Sequence, residues 1–90
     1  MHRRALLALL LLSPALPAQP APLELNTATR AQLESLQGIG PGLAEKILLA
    51  RRKGLFQDWN DLRRRVRGIG PKLATKLSSQ GLVVNVWALD

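Results

Sequence analysis

Leu36-Gln-Gly-Ile-Gly-Pro-Gly-Leu-Ala-Glu-Lys-Ile47 returns thirty positions later as Val66-Arg-Gly-Ile-Gly-Pro-Lys-Leu-Ala-Thr-Lys-Leu77. Seven of the twelve positions are identical, and the end positions exchange Leu for Val and Ile for Leu. Two copies of one supersecondary unit, related by duplication, account for this better than chance. Gly-Ile-Gly-Pro also has a physical meaning. Glycines permit a tight turn and close approach of another chain, and a proline suits the first position of a helix. A helix N-terminus opened by such a turn is a place where proteins hold anions.

Working outward, the pattern is helical almost throughout. Thr29-Arg-Ala-Gln32 fits a capping box and starts a short helix with Leu33 and Leu36 on one face. Gly38-Ile-Gly40 breaks it, and Pro41 begins a longer helix through Leu43, Ala44, Ile47, Leu48 and Ala50. This helix is expected to end near Gly54 as a left-handed C′ residue, with Arg51, Arg52 and Lys53 complementing the dipole of its last turn. Asp58 is an N-cap for a helix carrying Trp59, Leu62 and Val66. Gly68-Ile-Gly70-Pro71 turns the chain again, and a second long helix carries Leu73, Ala74 and Leu77 and stops at Gly81. Leu82-Val-Val84 reads as an extended tail, and Phe56 and Trp59 as the hydrophobic bridge between halves. Neither helical pair buries its apolar face alone, so the expectation is an all-α domain over residues 25–84. It has about four to five short helices and pseudo-two-fold symmetry, with residues 85–90 as a C-terminal tail.

Ninety residues allow one small domain with little room for an enzyme's buried cleft. Cysteine is absent, which excludes a disulfide framework and thiolate metal sites, and the lone His2 builds neither a metal site nor a triad. Met1-His-Arg-Arg4, the apolar run Ala5 to Leu12 and Ser13-Pro-Ala-Leu-Pro-Ala18 have the three-part layout of a secretory signal peptide. Ser13-x-Ala15 and Leu16-x-Ala18 both offer cleavage frames, the second being preferred. Residues 1–18 are therefore expected to be removed on export to the periplasm or beyond, with 19–24 a stiff, proline-containing lead-in. Thirteen basic residues less Arg3 and Arg4 leave eleven against six acidic, a balance of +5. That surplus favours anionic partners such as nucleic acid or an anionic membrane surface.

Both twelve-residue phrases resemble the helix-hairpin-helix motif. The wider chain is similar to the ComEA family of competence DNA-binding proteins, particularly its short, exported, single-domain members. The matching stretches are Leu25-Asn-Thr-Ala-Thr29, Leu36 to Ile47, Phe56-x-x-Trp59-x-Asp61-Leu62 and Val66 to Leu77. One departure is that Leu33 stands five places before Gly38, whereas Arg63 stands five places before Gly68 and Leu62 six. The second lead-in helix is therefore expected to rotate or bulge.

The resemblance implies a tandem helix-hairpin-helix domain that binds double-stranded DNA through its phosphates from the minor-groove side, without catalysis. The implied contacts are Gly38, Ile39, Gly40, Gly42 and Lys46 in the first copy, and Gly68, Ile69, Gly70, Lys72 and Lys76 in the second. In this reading the four hairpin glycines allow positive φ, and Ile39 and Ile69 plug the hairpins into the core. Lys72 makes the second hairpin the more basic. The resemblance further implies a role in DNA uptake, contact with the uptake machinery, oligomerisation on DNA and no cofactor, although a related hairpin can hold a monovalent cation. Two other classes stay open: a protein-interaction module using an apolar patch at Val86-Trp87-Ala88-Leu89, and a cationic peptide acting on anionic lipid. No paired carboxylates, His, Cys or phosphate-loop lysine make a coherent enzyme site.

Overall fold

The computed structural model describes residues 21–86 and 89. Its elements are β1 (Leu23–Glu24), α1 (Arg30–Glu34), α2 (Pro41–Lys53), α3 (Trp59–Arg65), α4 (Pro71–Ser79) and β2 (Leu82–Val83). Residues 1–18, expected to be a signal peptide, the first two residues of the lead-in, and Trp87 and Ala88 of the expected apolar patch lie outside the described residues. The fold is a small all-α arrangement of two helical pairs, with one addition. Leu82–Val83 is not simply a tail, because it pairs in parallel with Leu23–Glu24 in the register Leu23 to Leu82 and Glu24 to Val83. The Leu23 N–H donates to the Gly81 carbonyl and the Leu25 N–H to the Val83 carbonyl, each at 2.9 Å. The two ends of the domain are thereby joined.

The duplication is visible in the packing. From Leu36 to Ala50 and from Val66 to Gln80, buried, half-buried and exposed positions follow the same order residue for residue. Ile39, Ala44 and Ile47 enter the core from one copy, and Ile69, Ala74 and Leu77 from the other. Phe56, Trp59 and Leu62 fill the space between them as the connector was expected to do. Identical periodicity produces identical burial because each copy presents the same apolar stripe to its twin.

The mismatch at Arg63 is resolved by one hydrogen bond. In the first copy the Leu36 N–H closes on the Leu33 carbonyl, three residues back, at 3.1 Å. In the second the Val66 N–H closes on the Leu62 carbonyl, four residues back, at 2.9 Å. A tighter turn in one copy and an α-turn in the other absorb the extra residue. Leu33 and Leu62 are both fully buried as a result, and Arg63 stays exposed.

Three polar side chains lock the frame. The Asn26 amide exchanges two bonds with the backbone of Phe56: Nδ2 donates to the Phe56 carbonyl at 2.9 Å, and the Phe56 N–H donates to Oδ1 at 2.7 Å. Arg51 Nη1 donates to the carbonyls of Leu25 and Ala28, both at 2.8 Å, so it ties α2 to the turn after β1 rather than serving only the dipole. The end of α2 differs from expectation. Gly54 has φ 161°, which is extended rather than left-handed backbone. Arg65 caps the helix instead, its Nη2 donating to the carbonyls of Ala50 and Gly54, each at 2.7 Å. Its guanidinium also lies 4.3 Å from the Phe56 ring centroid.

Candidate nucleic-acid interface

The four helices begin in two different ways. α1 starts on Thr29, whose hydroxyl accepts from the Gln32 N–H at 3.1 Å while the Gln32 side chain accepts from the Thr29 N–H at 2.9 Å. α3 starts on Asp58, whose carboxylate accepts from the Asp61 N–H at 2.7 Å. α2 and α4 start on Gly40 and Gly70, with proline next and no side-chain cap. Neither carries an acidic residue in its first turn. Each of these two helices therefore presents its first-turn N–H groups, and the positive end of its dipole, to whatever lies outside.

The glycines divide by role. Gly38 and Gly68 have φ of 102° and 106°, a conformation that L side chains rarely adopt, and make the turn. Gly40 and Gly70 have φ of −90° and −88° with ψ near 180°, which any residue adopts. The expectation that all four glycines exploit positive φ is corrected to these two. A Cβ at Gly40, Gly42 or Gly70 would meet nothing within 4 Å. Neither backbone strain nor internal packing demands glycine at Gly40 and Gly70. What their lack of a side chain provides is space for a group approaching from outside.

The isoleucines are plugs. Ile39 and Ile69 are 4% and 5% exposed, so each anchors its hairpin in the core. The Ile39 N–H donates to the Leu36 carbonyl at 3.2 Å and is not left over for a ligand. Lys46, Lys72 and Lys76 are exposed, with Lys72 in the first turn of α4 where Gly42 stands in α2. Glu45, the counterpart of Thr75, is paired with Arg30. The Arg30 guanidinium holds the Glu45 carboxyl below its ordinary range, and Arg30 is raised in turn. The first hairpin thus carries a neutralised pair where the second carries a hydroxyl.

The basic run on α3 is not uniform. Arg65 is taken up by α2 and by Asp61, whose Oδ2 accepts from its Nη1 at 3.1 Å. Arg64 Nη2 donates to Asp61 Oδ1 at 2.9 Å. The Gln57 N–H, followed by these two arginines, holds the Asp61 carboxyl below its usual range. Arg63 and Arg67 stay exposed, and their side chains make no hydrogen bond to the described residues. A run of arginines in sequence gave no sign of this division, because the carbonyls that Arg65 binds come from a different helix pair.

The helix-hairpin-helix motif family matches residues 21–80. The chain belongs to that family, whose domains serve in nucleic-acid binding or protein interaction. No curated protein and no solved structure matches it.

Proposed function

We propose that the protein is a non-enzymatic, sequence-independent binder of double-stranded DNA, exported from the cell that makes it. One observation carries this reading: among the described helices only α2 and α4 lack side-chain caps, and each opens through a glycine with empty space before it. Two such N-termini related by a pseudo-dyad suit two phosphates, one on each strand across a minor groove. Gly42 and Lys72 lie in the first turns, and Lys46 and Lys76 follow on the same helices, adding charge that reads no base. The excess of basic over acidic residues supplies the counterion-release term that dominates binding of this kind.

The resemblance to the ComEA family and the signal-peptide layout of residues 1–18 support a finer role. Outside the cytoplasmic membrane, the protein retains incoming duplex for the uptake machinery. Several copies on one duplex would hold it more firmly than one. The reading needs no cofactor. The test is duplex binding of random sequence across a salt series. Neutralising ~4 to 6 phosphates gives a slope of log affinity against log salt of roughly −4 to −5. Absence of binding even at low salt would sink the proposal.

A further inference from the structure

One break in the pseudo-symmetry lies away from the open helix N-termini of the duplex reading and shares only Lys46 with it. In the first copy the Gln80 side chain clasps the backbone of Gln37. The Gln37 N–H donates to Oε1 at 2.8 Å, and Nε2 donates to the Gln37 carbonyl at 2.9 Å. The counterparts in the second copy are Ala50 for Gln80 and Arg67 for Gln37. A methyl group makes no such clasp, and neither the peptide N–H nor the carbonyl of Arg67 has a partner among the described residues. A groove of about 500 Å³ opens there, lined by both Ala50 and Arg67.

The lining states what the groove accepts. Lys46, Leu49, Ala50 and Lys53 fall at i, i+3, i+4 and i+7 of α2 and so share one stripe of the helix. Leu49, 47% exposed, forms an aliphatic floor with Ala50 and Val66. Among the described residues Lys46, Lys53 and Arg67 form no ion pair, Arg65 adds a wall whose charge is already paired, and no carboxylate lines the groove. A phosphodiester carries no hydrogen and cannot donate to the Arg67 carbonyl. An unpaired base has an amide-like edge, but no aromatic ring lines the groove for it to stack on. A peptide satisfies all three features. The N–H and C=O of one extended residue point to the same side and repeat the Gln80 clasp on Arg67, an aliphatic side chain covers Leu49, and flanking carboxylates meet the lysines and Arg67.

We infer that this groove is a docking site for an acidic, leucine-containing peptide segment of a partner protein. It adjoins the second hairpin through Arg67, which precedes Gly68, and it stands whether or not the hairpins bind duplex. The test uses the full chain and a fluorescent peptide, Glu-Glu-Leu-Gln-Leu-Glu-Glu, beside the same peptide with alanine for both leucines.

Ala50→Gln is expected to rebuild the clasp on Arg67, close the groove and weaken the leucine peptide about tenfold, the equivalent of one to two hydrogen bonds. Leu49→Ser, a surface change, is expected to weaken it about fivefold by removing the apolar floor. Both variants keep blunt-duplex affinity within about twofold of the parent, since neither residue belongs to the hairpins. Equal binding of the alanine peptide reduces the effect to charge attraction and overturns the inference, as does a peptide affinity indifferent to both variants. If Ala50→Gln weakens an unpaired oligothymidine but not the peptide, the occupant is nucleic acid and the inference is likewise overturned.

Discussion

Gly38 faces Leu73 across the pseudo-two-fold so closely that a methyl group on Gly38 would stand 2.5 Å from Leu73 Cδ1. The reciprocal pair, Gly68 and Leu43, would leave 3.7 Å, an ordinary contact. Each hairpin glycine is thus packed by the other copy's helix, and the two contacts are unequal. Gly68→Ala is expected to cost about 1–3 kcal/mol from its positive φ alone. Gly38→Ala adds overpacking of about 1–3 kcal/mol more. Urea unfolding of the two variants checks the order; equal losses would mean that the Leu73 contact relaxes freely.

Gly40 and Gly70 behave differently. Their extended backbone and open surroundings predict that Gly70→Val folds with less than about 1 kcal/mol of loss, the size of an N-cap change. Its side chain nevertheless occupies the approach to α4, so duplex affinity falls about tenfold or more, an energy comparable to one charge-assisted hydrogen bond. The pair of readouts is thermal unfolding and duplex binding on the same sample. Loss of stability in proportion to loss of binding would return these glycines to a purely structural role.

Lys72 lies in the first turn of the uncapped helix α4. Lys72→Glu is expected to weaken all duplex sequences alike and to reduce the salt slope by about 1. Gly42→Lys, which copies the second hairpin into the first, is expected to strengthen binding and steepen the slope by a similar amount. Salt titrations of the variants on two unrelated duplexes decide both. Unchanged affinity and slope in Lys72→Glu would place DNA elsewhere.

Arg65 is expected to serve stability rather than binding. Arg65→Met keeps an apolar stem near Phe56 but strips the caps from Ala50 and Gly54 and a partner from Asp61. The cost is about 2 kcal/mol, since a guanidinium bridging several acceptors is lost at once. In a domain of this size that lowers Tm by about 8–16 °C. Arg63→Met, at an exposed position, is expected to leave Tm within about 4 °C.

The acid limb of the stability curve is expected to depend on Asp61. Its folded pKa is depressed by the Gln57 N–H and by Arg64 and Arg65. The resulting stabilisation is complete above the unfolded carboxyl value of ~3.9 and is lost as pH falls through the lower folded value. Asp61→Asn therefore destabilises at neutral pH and converges with the parent at the acid end. Urea midpoints measured from pH 7 down to about 2 read this directly; parallel curves would remove Asp61 from the account.

Much of this molecule is written locally. The helix starts at Thr29, Pro41, Asp58 and Pro71 follow from caps and prolines, which act within one turn of the chain. The buried Ile39 and Ile69 follow from a repeat read against itself, as does the tandem symmetry. The open N-termini of α2 and α4 are legible too, because a Gly-Pro start supplies no side-chain cap.

What only the tertiary structure decided depends on groups far apart in sequence. Leu23–Glu24 became a strand because residues 81 to 83 return beside it, and two residues carry no periodicity to announce that. Gly54 lost its expected left-handed turn because Arg65, eleven residues on, caps α2. Of the basic residues, Arg51 and Arg65 were drawn into the frame while Lys72 stayed free; side-chain charge is the same in both cases, and only the nearness of unpaired carbonyls separates them. The groove beside Arg67 arises where a repeat position holds Ala50 instead of Gln80. That difference stands in the sequence, but its consequence exists only once residues 43 apart meet in the twin copy.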